Sequence, residues 1–224
     1  MVNMKSKKLN ILYEDKYLII IDKPANLLTI ATEKEKDRTL FSKVYDYLKK
    51  KNKNNKVFVV HRLDKDASGI VVFAKDEKTK FYLQNNWDKF PRQYVAVVEG
   101  KIKDNKGTLK SYLMETKTHV TYSVNDKNGK LAITEYEKIL ENKKYTMLCL
   151  TLKTGIKNQV RVQFMDLGTP IVGDKKYGAK KDPIRRMALV ANYLSFVHPI
   201  TKENIEIDID IPDEIVKLVK NDVK

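Results

Sequence analysis

Hydrophobic and polar positions alternate in short runs along most of the chain, and β-branched and aromatic residues are concentrated in those runs. Runs of this kind, about four to eight residues long, are typical of β-strands. They predict strands over Asn10–Tyr13, Tyr17–Ile21, Val57–His61, Gly69–Ala74, Gln93–Glu99, Ile133–Leu140, Tyr145–Leu152, Ala188–Phe196 and Asn204–Ile209.

Helical spacing of apolar residues marks four other segments. In the first of them one face behind Thr39, a residue type that caps helices, carries Leu40, Val44, Tyr47 and Leu48. The predicted helices are Thr39–Lys51, Asp76–Trp87, Asn158–Leu167 and Asp213–Lys220, and the predicted exposed basic turns are Lys51–Lys56 and Lys101–Lys106.

The order of these elements indicates the fold class. Strands and helices do not alternate regularly, which favours an α+β fold with a large mixed, mainly antiparallel sheet and flanking helices. No Pro-, Gly- or Ser-rich linker divides the 224 residues. We therefore expect one domain over residues 1–224, with no separate N-terminal RNA-binding domain.

Composition excludes several protein classes. With 42% apolar and 33% charged residues, the chain can bury a full core and is not intrinsically disordered. No run approaches the roughly 18 apolar residues of a membrane span. The single cysteine, Cys149, excludes an internal disulfide and a paired-cysteine metal site. These features predict a cytoplasmic protein that does not bind membranes.

The net charge of +15 has two explanations that the sequence leaves open. It can reflect the codon bias of an AT-rich genome, which enriches Lys, or it can attract a polyanion such as RNA. Only six of the 44 basic residues are Arg. In a Lys-rich chain, a retained Arg indicates a need for the planar, bidentate guanidinium. The six are Arg38, Arg62, Arg92, Arg161, Arg185 and Arg186.

The polar segment from His61 to Gly69 lies between two apolar runs and is the first candidate site. One interpretation is a tight turn in which Asp64, Asp66 and Ser68 bind backbone N–H groups. A calcium loop is excluded because Lys75 stands where the bidentate Glu is required. A carboxylate with a chemical role is the remaining interpretation.

Cofactor motifs are also absent from the sequence. The segment Gly168–Lys175 has the glycine spacing of a phosphate-binding P-loop, but Asp174 stands where that loop needs Lys. The chain has no GxGxxG motif for a dinucleotide and only three His residues, which makes a His-based zinc site or a Ser-His relay improbable. The available chemistry is that of a carboxylate nucleophile assisted by Arg and Tyr.

A second polar concentration runs from Thr154 to Arg161 at the start of a predicted helix. It is either a capped helix start with Lys157 and Arg161 in solvent, or a helix start from which Arg161 reaches a buried carboxylate. Tyr94, in the strand-like run Gln93–Glu99, fits either a core position or a site position.

Taken in order, these segments resemble the RluA-type family of RNA pseudouridine synthases over roughly residues 10 to 210. The segment His61-Arg62-Leu63-Asp64 with Ser68-Gly69 resembles the family's catalytic loop. The other matching segments are Ile11–Asp15, Asp22–Ala25, Arg92–Tyr94, Thr154–Arg161, Leu167–Ile171, Gly173-Asp174, Tyr177-Gly178 and His198-Pro199.

The resemblance implies an isomerase that converts uridine in ribosomal or transfer RNA to pseudouridine. It implies that Asp64 is the catalytic carboxylate, that Arg161 supplies a counter-charge favouring its ionised form, and that Tyr94 packs on the uracil. It also implies that substrate is bound by His61, Arg62, Asn158 and Gln159. The reaction needs no metal, nucleotide or redox cofactor, and we expect a monomer whose partner is RNA.

Three residues depart from the family pattern, and two alternatives remain. Asn26 replaces a usual Gly, at a turn where Asn tolerates positive φ. Asn158 and Val190 each replace a usual His, which affects the choice of RNA more than the chemistry. The alternatives are an inactive RNA-binding or assembly factor of the same fold, and a metal-dependent hydrolase that uses Asp64 and Asp66.

Overall fold

The computed structural model describes residues 9–33 and 35–220; the basic start of the chain, residue 34 and residues 221–224 lie outside the described part. The strands are β1 Asn10–Glu14, β2 Leu18–Lys23, β3 Phe58–Val59, β4 Ser68–Ala74, β5 Arg92–Glu99, β6 Lys106–Glu115, β7 Thr121–Val124, β8 Lys130–Glu141, β9 Tyr145–Leu152, β10 Leu189–Val197 and β11 Asn204–Asp208. The helices are α1 Leu40–Lys51, α2 Glu77–Asn86, α3 Gln159–Asp166 and α4 Asp213–Lys220.

The chain forms two compact units, and each unit uses two separate stretches of chain. Within the described residues, the first unit comprises those up to Trp87 together with Val197–Ile207, and the second comprises Asp88–Phe196 together with Asp208–Lys220. The α+β fold with antiparallel sheet and flanking helices is confirmed. The expectation of one domain stays a prediction.

The first unit is built on two strands that are buried on both faces. In β2, Leu18–Ile21 are fully buried, and β4 is buried along its whole length. β2 lies between β1 and β4, and β3 pairs with the end of β4, all antiparallel. The continuous apolar runs of the sequence therefore form the centre of this sheet.

Both helices of the first unit begin where the sequence indicates. Thr39 precedes α1, and its hydroxyl accepts a hydrogen bond from the Ser42 N–H, as expected for a cap. On the predicted apolar face of α1, Leu40, Val44 and Leu48 are buried, and Tyr47 is half-buried. Asp76 caps α2 in the same way.

The second unit contains six antiparallel strands in the order β10-β5-β9-β8-β6-β7. Helix α3 packs against β6 and β7, while α4 packs against β5, β8 and β9. Polar residues make up part of the buried face of α3, where Gln159, Arg161 and Gln163 are all buried. No helix in the described part of the chain is long and apolar enough to cross a membrane.

Strands β6 and β7 are absent from the sequence prediction, and the predicted basic turn ending at Lys106 overlaps the start of β6. The β6 sequence includes a Gly and two Lys among its ten residues, which weakens its intrinsic strand preference. Tertiary pairing with β8 supplies the missing stabilisation. Tyr136 of β8 lies over Gly107, where a Cβ would come within 2.5 Å of the Tyr136 hydroxyl.

Glu14 at the end of β1 links three elements of the first unit. It accepts hydrogen bonds from Lys75 (2.7 Å), Tyr47 (2.7 Å) and Lys51 (3.0 Å). Burial raises the pKa of Glu14, but these donors outweigh burial and lower the pKa to about 2 from its ordinary 4.5. Ionised Glu14 therefore stabilises the fold above about pH 4.5, and that contribution is lost as the pH falls toward 2.

We predict that Glu14→Gln lowers the free energy of unfolding at pH 7 by roughly 2–3 kcal/mol, because the variant cannot ionise. Urea unfolding at several pH values should show a shallower loss of stability below pH 4.5 than in the wild type. Glu35→Gln is the control, since Glu35 pairs with Arg38 on the exposed surface. Equal pH slopes for wild type and Glu14→Gln would contradict the prediction.

Candidate functional site

The loop between β3 and β4 carries Asp64, which is half-buried. The residues on either side of Asp64 are held by the protein. The Thr29 hydroxyl donates to the Leu63 carbonyl (2.8 Å) and accepts from the Leu63 N–H (3.2 Å). The Lys23 ammonium donates to the Lys65 carbonyl (3.1 Å). A reactive carboxylate on a loop fixed in this way would be held in a defined position.

His61 begins this loop and anchors it to β4. Its Nε2 accepts a hydrogen bond from the Val72 N–H (3.0 Å), so that nitrogen carries no proton. Its ring stacks on Trp87 with 3.9 Å between ring centroids. These contacts show a structural role for His61, and its role in substrate binding stays a prediction.

Arg62 differs from its neighbours because it points into solvent. Among residues 9–33 and 35–220, its side chain makes no hydrogen bond, ion pair or ring contact. An exposed guanidinium next to a candidate catalytic carboxylate is available for phosphate binding or for stacking on a base.

Arg161 lies in the first turn of α3 and is only 5% exposed. Its Nε and Nη2 donate to the two carboxylate oxygens of Asp174, each at 2.7 Å, and its Nη1 donates to the Asn158 Oδ1 (3.2 Å). The guanidinium carbon lies 4.9 Å from the centre of the Tyr177 ring. Of the two interpretations of this segment, contact with a buried carboxylate is therefore confirmed and a solvent position for Arg161 is wrong.

Sequence reasoning did not name Asp174 or Tyr177 as site residues, although Gly173-Asp174 and Tyr177-Gly178 are among the segments that match the family. Asp174 precedes a short 3₁₀ turn and its side chain accepts from the Tyr177 N–H. The available signal was Gly173. A Cβ at that position would lie 2.1 Å from the Arg186 carbonyl, so only Gly allows this approach.

Asn158 precedes α3 in a left-handed conformation with φ of 54°. Its side chain accepts from Arg161 and donates to the Thr121 hydroxyl (3.3 Å), and the Thr121 N–H donates to the Tyr177 hydroxyl (3.3 Å). The replacement of the usual His by Asn thus places a residue that suits both the backbone and Arg161.

Gln159 is 2% exposed, and its side-chain amide is fully engaged inside the protein. Its oxygen accepts from Thr154 and the Ile156 N–H, while its nitrogen donates to the Ile133 carbonyl and to Thr134. These bonds tie the segment before α3 to β8. Its substrate-binding role stays a prediction.

Tyr94 lies in β5, between Leu150 of β9 and Ala191 of β10, and is partly exposed. Val190, the other position where the family usually has His, is buried opposite Val95. Asn26 has φ of 62°, which confirms the expected turn.

The structure groups the predicted site residues in two sets. Asp64, His61 and Arg62 share the loop of the first unit, whereas Asn158 and Arg161 meet in the second unit, where Tyr94 also lies. Within the described residues, no three His, Cys, Asp or Glu side chains are placed to hold a metal ion.

A family model described as RNA pseudouridylate synthase matches residues 17–166. The chain is 35% identical over 217 residues to "Uncharacterized RNA pseudouridine synthase YhcT" of Bacillus subtilis, covering 95% of this chain and 72% of that protein. It is 33% identical over 228 residues to "Ribosomal large subunit pseudouridine synthase D" of Haemophilus influenzae, covering 94% and 70%.

Solved structures show the same fold. Human RNA pseudouridylate synthase domain containing 4 superposes with a TM-score of 0.76 at 21% identity, covering 92% of this chain and 90% of that one. Human RNA pseudouridylate synthase domain containing 1 gives a TM-score of 0.75 at 22% identity, covering 96% and 87%.

We predict that Asp174→Asn lowers the free energy of unfolding by about 3–5 kcal/mol, because it removes the charge that balances the buried Arg161 guanidinium. Glu137→Gln makes the same change in the exposed pair with Lys106 and should cost less than about 1 kcal/mol. Urea unfolding of both variants is the measurement. Similar losses of unfolding free energy in the two variants would contradict a larger contribution from the buried pair.

Proposed function

Because the chain belongs to the RluA-type family of RNA pseudouridine synthases, we propose that it converts specific uridines of ribosomal or transfer RNA to pseudouridine, with Asp64 as nucleophile. The family makes the protein an isomerase that acts on RNA. The naming of several relatives for the large ribosomal subunit supports ribosomal RNA as the first substrate to test. We expect the reaction to take place in the cytoplasm.

All the bonds that this reaction breaks and forms lie in one nucleotide. The bond between uracil N1 and ribose C1′ breaks, the base turns, and a bond forms between C5 and C1′. The proton on C5 is removed by a base and N1 gains a proton, so no atom is added or lost overall. The protein must therefore supply a nucleophile, charge stabilisation and a proton acceptor.

Asp64 is the proposed nucleophile, and the observation that carries this proposal is its place on a loop fixed on both sides. The carboxylate is half-buried, while Leu63 and Lys65 are held by Thr29 and Lys23. A nucleophile gains most from being held in one geometry before the substrate arrives.

Arg161 is the proposed counter-charge for the reacting carboxylate, and Tyr94 the proposed residue that packs on the uracil and accepts the C5 proton. The bidentate bond to Asp174 fixes the plane of the Arg161 guanidinium. A fixed cation stabilises developing charge without the cost of reorganisation during the reaction. The partial exposure of Tyr94 leaves room for contact with a base.

Arg62 is the proposed residue that supports the flipped nucleotide. A uridine in folded RNA must leave its base stack, which costs a few kcal/mol. Contacts between the protein and the flipped nucleotide offset this cost. The exposed Arg62 guanidinium can fill the vacated space or bind a phosphate. The remaining Lys surface would add affinity that decreases with salt and carries no sequence information.

We predict that wild-type protein releases tritium from RNA labelled at uracil C5 and that Asp64→Asn abolishes release, since an amide cannot act as the nucleophile. The substrate is total RNA from cells that lack this protein. Asp46→Asn makes the same change on the exposed face of α1 and should retain full activity.

The outcomes of this assay separate the alternatives. RNA binding without tritium release by the wild type would indicate an inactive binding or assembly factor. Cleavage of the RNA without tritium release, stopped by chelator, would favour the metal-dependent hydrolase. Release by Asp64→Asn at the wild-type rate would overturn the proposed role of Asp64.

We predict that Arg62→Ala lowers kcat/KM about 10- to 100-fold on structured RNA and much less on an unpaired oligonucleotide with the same target uridine, because only the first substrate requires base flipping. Arg38→Ala, which removes another exposed Arg, is the matched control. Equal losses on both substrates would contradict the role of Arg62.

A further inference from the structure

Two buried side chains, Lys23 at the end of β2 and Thr29 in the segment between β2 and α1, hold the backbone on both sides of Asp64. Thr29 binds Leu63, the residue before Asp64, and Lys23 binds Lys65, the residue after it. Both side chains lie in the first unit, far in sequence from the loop they hold. Neither belongs to the set of residues to which a chemical role is given above.

Thr29 makes the more specific contact because its hydroxyl binds both polar groups of one peptide residue. It is 2% exposed, donates to the Leu63 carbonyl and accepts from the Leu63 N–H. Two bonds to one residue fix its orientation as well as its position. Thr29 is itself held at the start of α1, since the Phe41 N–H donates to the Thr29 carbonyl (3.0 Å).

Lys23 holds the other side of Asp64 with a charge that is fully buried. Its ammonium donates to the carbonyls of Pro24 (3.0 Å), Leu27 (2.7 Å) and Lys65 (3.1 Å). Burial of a Lys ammonium lowers stability unless its N–H groups are hydrogen-bonded. The three carbonyl acceptors therefore allow Lys23 to be buried. The same group thereby ties the turn at Asn26 to the loop.

The two contacts restrict Asp64 although neither touches its side chain. With Leu63 and Lys65 both fixed, the backbone of Asp64 between them has little freedom to move. A displacement of about 1 Å in a reacting group can cost about 100-fold in rate. Supporting residues of this kind determine whether a site is precise enough to work.

We propose that Thr29, together with Lys23, is a positioning residue that sets the location of the Asp64 carboxylate for the isomerisation. This inference rests on the proposed function of Asp64. Lys23 and Thr29 fix the position of the catalytic loop. They affect the chemical step without contacting RNA.

The test is Thr29→Val, which keeps the shape of the side chain and removes both hydrogen bonds to Leu63. Steady-state tritium release should show kcat lowered about 10- to 100-fold with KM for RNA changed less than about 3-fold. Thr29→Ser restores the hydroxyl and should recover most of kcat. Lys23→Met should likewise lower kcat with little change in KM.

The matched control is Thr146→Val in the second unit. Thr146 is a fully buried Thr whose hydroxyl donates to a backbone carbonyl, that of Gly100, at 2.8 Å. Its substitution removes the same kind of bond and should leave kcat unchanged once the fraction of folded protein is corrected by thermal unfolding. A comparable kcat loss in Thr146→Val would attribute the effect to general destabilisation and overturn the proposal.

The results distinguish this proposal from the proposed function. Absence of tritium release by wild type would overturn the function itself, whereas full kcat in Thr29→Val beside an inactive Asp64→Asn would overturn only the positioning role. A raised KM with unchanged kcat in Thr29→Val would indicate RNA binding and also overturn it.

Hydrogen exchange of the wild type provides a test that needs no variant to fold. The bond to Thr29 predicts that the Leu63 amide exchanges on the order of 100-fold more slowly than in an unstructured peptide. Exchange at the unstructured rate would show that the contact is not maintained and would overturn the proposal.

Discussion

The ion pair between Arg161 and Asp174 is the constraint around which the second unit is arranged. A guanidinium and a carboxylate that are both buried must be bonded with good geometry, since the desolvation of either charge alone is costly. The bidentate contact at 2.7 Å meets this requirement. Asn158 and Tyr177 add a hydrogen bond and a ring face, so the guanidinium is held from several directions.

The first unit holds its candidate catalytic residue by a different physical means. Asp64 is on a loop, and the loop is fixed through backbone groups that bond to the hydroxyl of Thr29 and the ammonium of Lys23. His61 adds a third anchor through the Val72 N–H. These bonds fix the loop through its backbone, whereas Arg161 is fixed through its own side chain by Asp174.

Buried side-chain amides of α3 are also held by hydrogen bonds to the sheet. Gln159 and Gln163 both bond to the hydroxyl of Thr134 in β8, and Gln163 also donates to the Ser111 hydroxyl in β6. The helix therefore packs a polar face against the sheet without leaving its amides unpaired. A network in which each member is bonded fixes the register of the helix more narrowly than apolar packing would.

The sequence by itself determined the apolar strands of both units, the helix starts at Thr39 and Asp76, and the ordered segments that identify the family. These are local features, because strand periodicity, capping and short motifs are each contained in a few consecutive residues. Only the tertiary structure decided the rest. It formed β6 from a segment with weak strand preference by pairing it with β8, gave Arg161 its partner Asp174, and placed Thr29 against Leu63. Each of these contacts joins residues that are distant in the chain. A local sequence pattern does not predict such a contact, because the contact stabilises the protein only after the chain has folded.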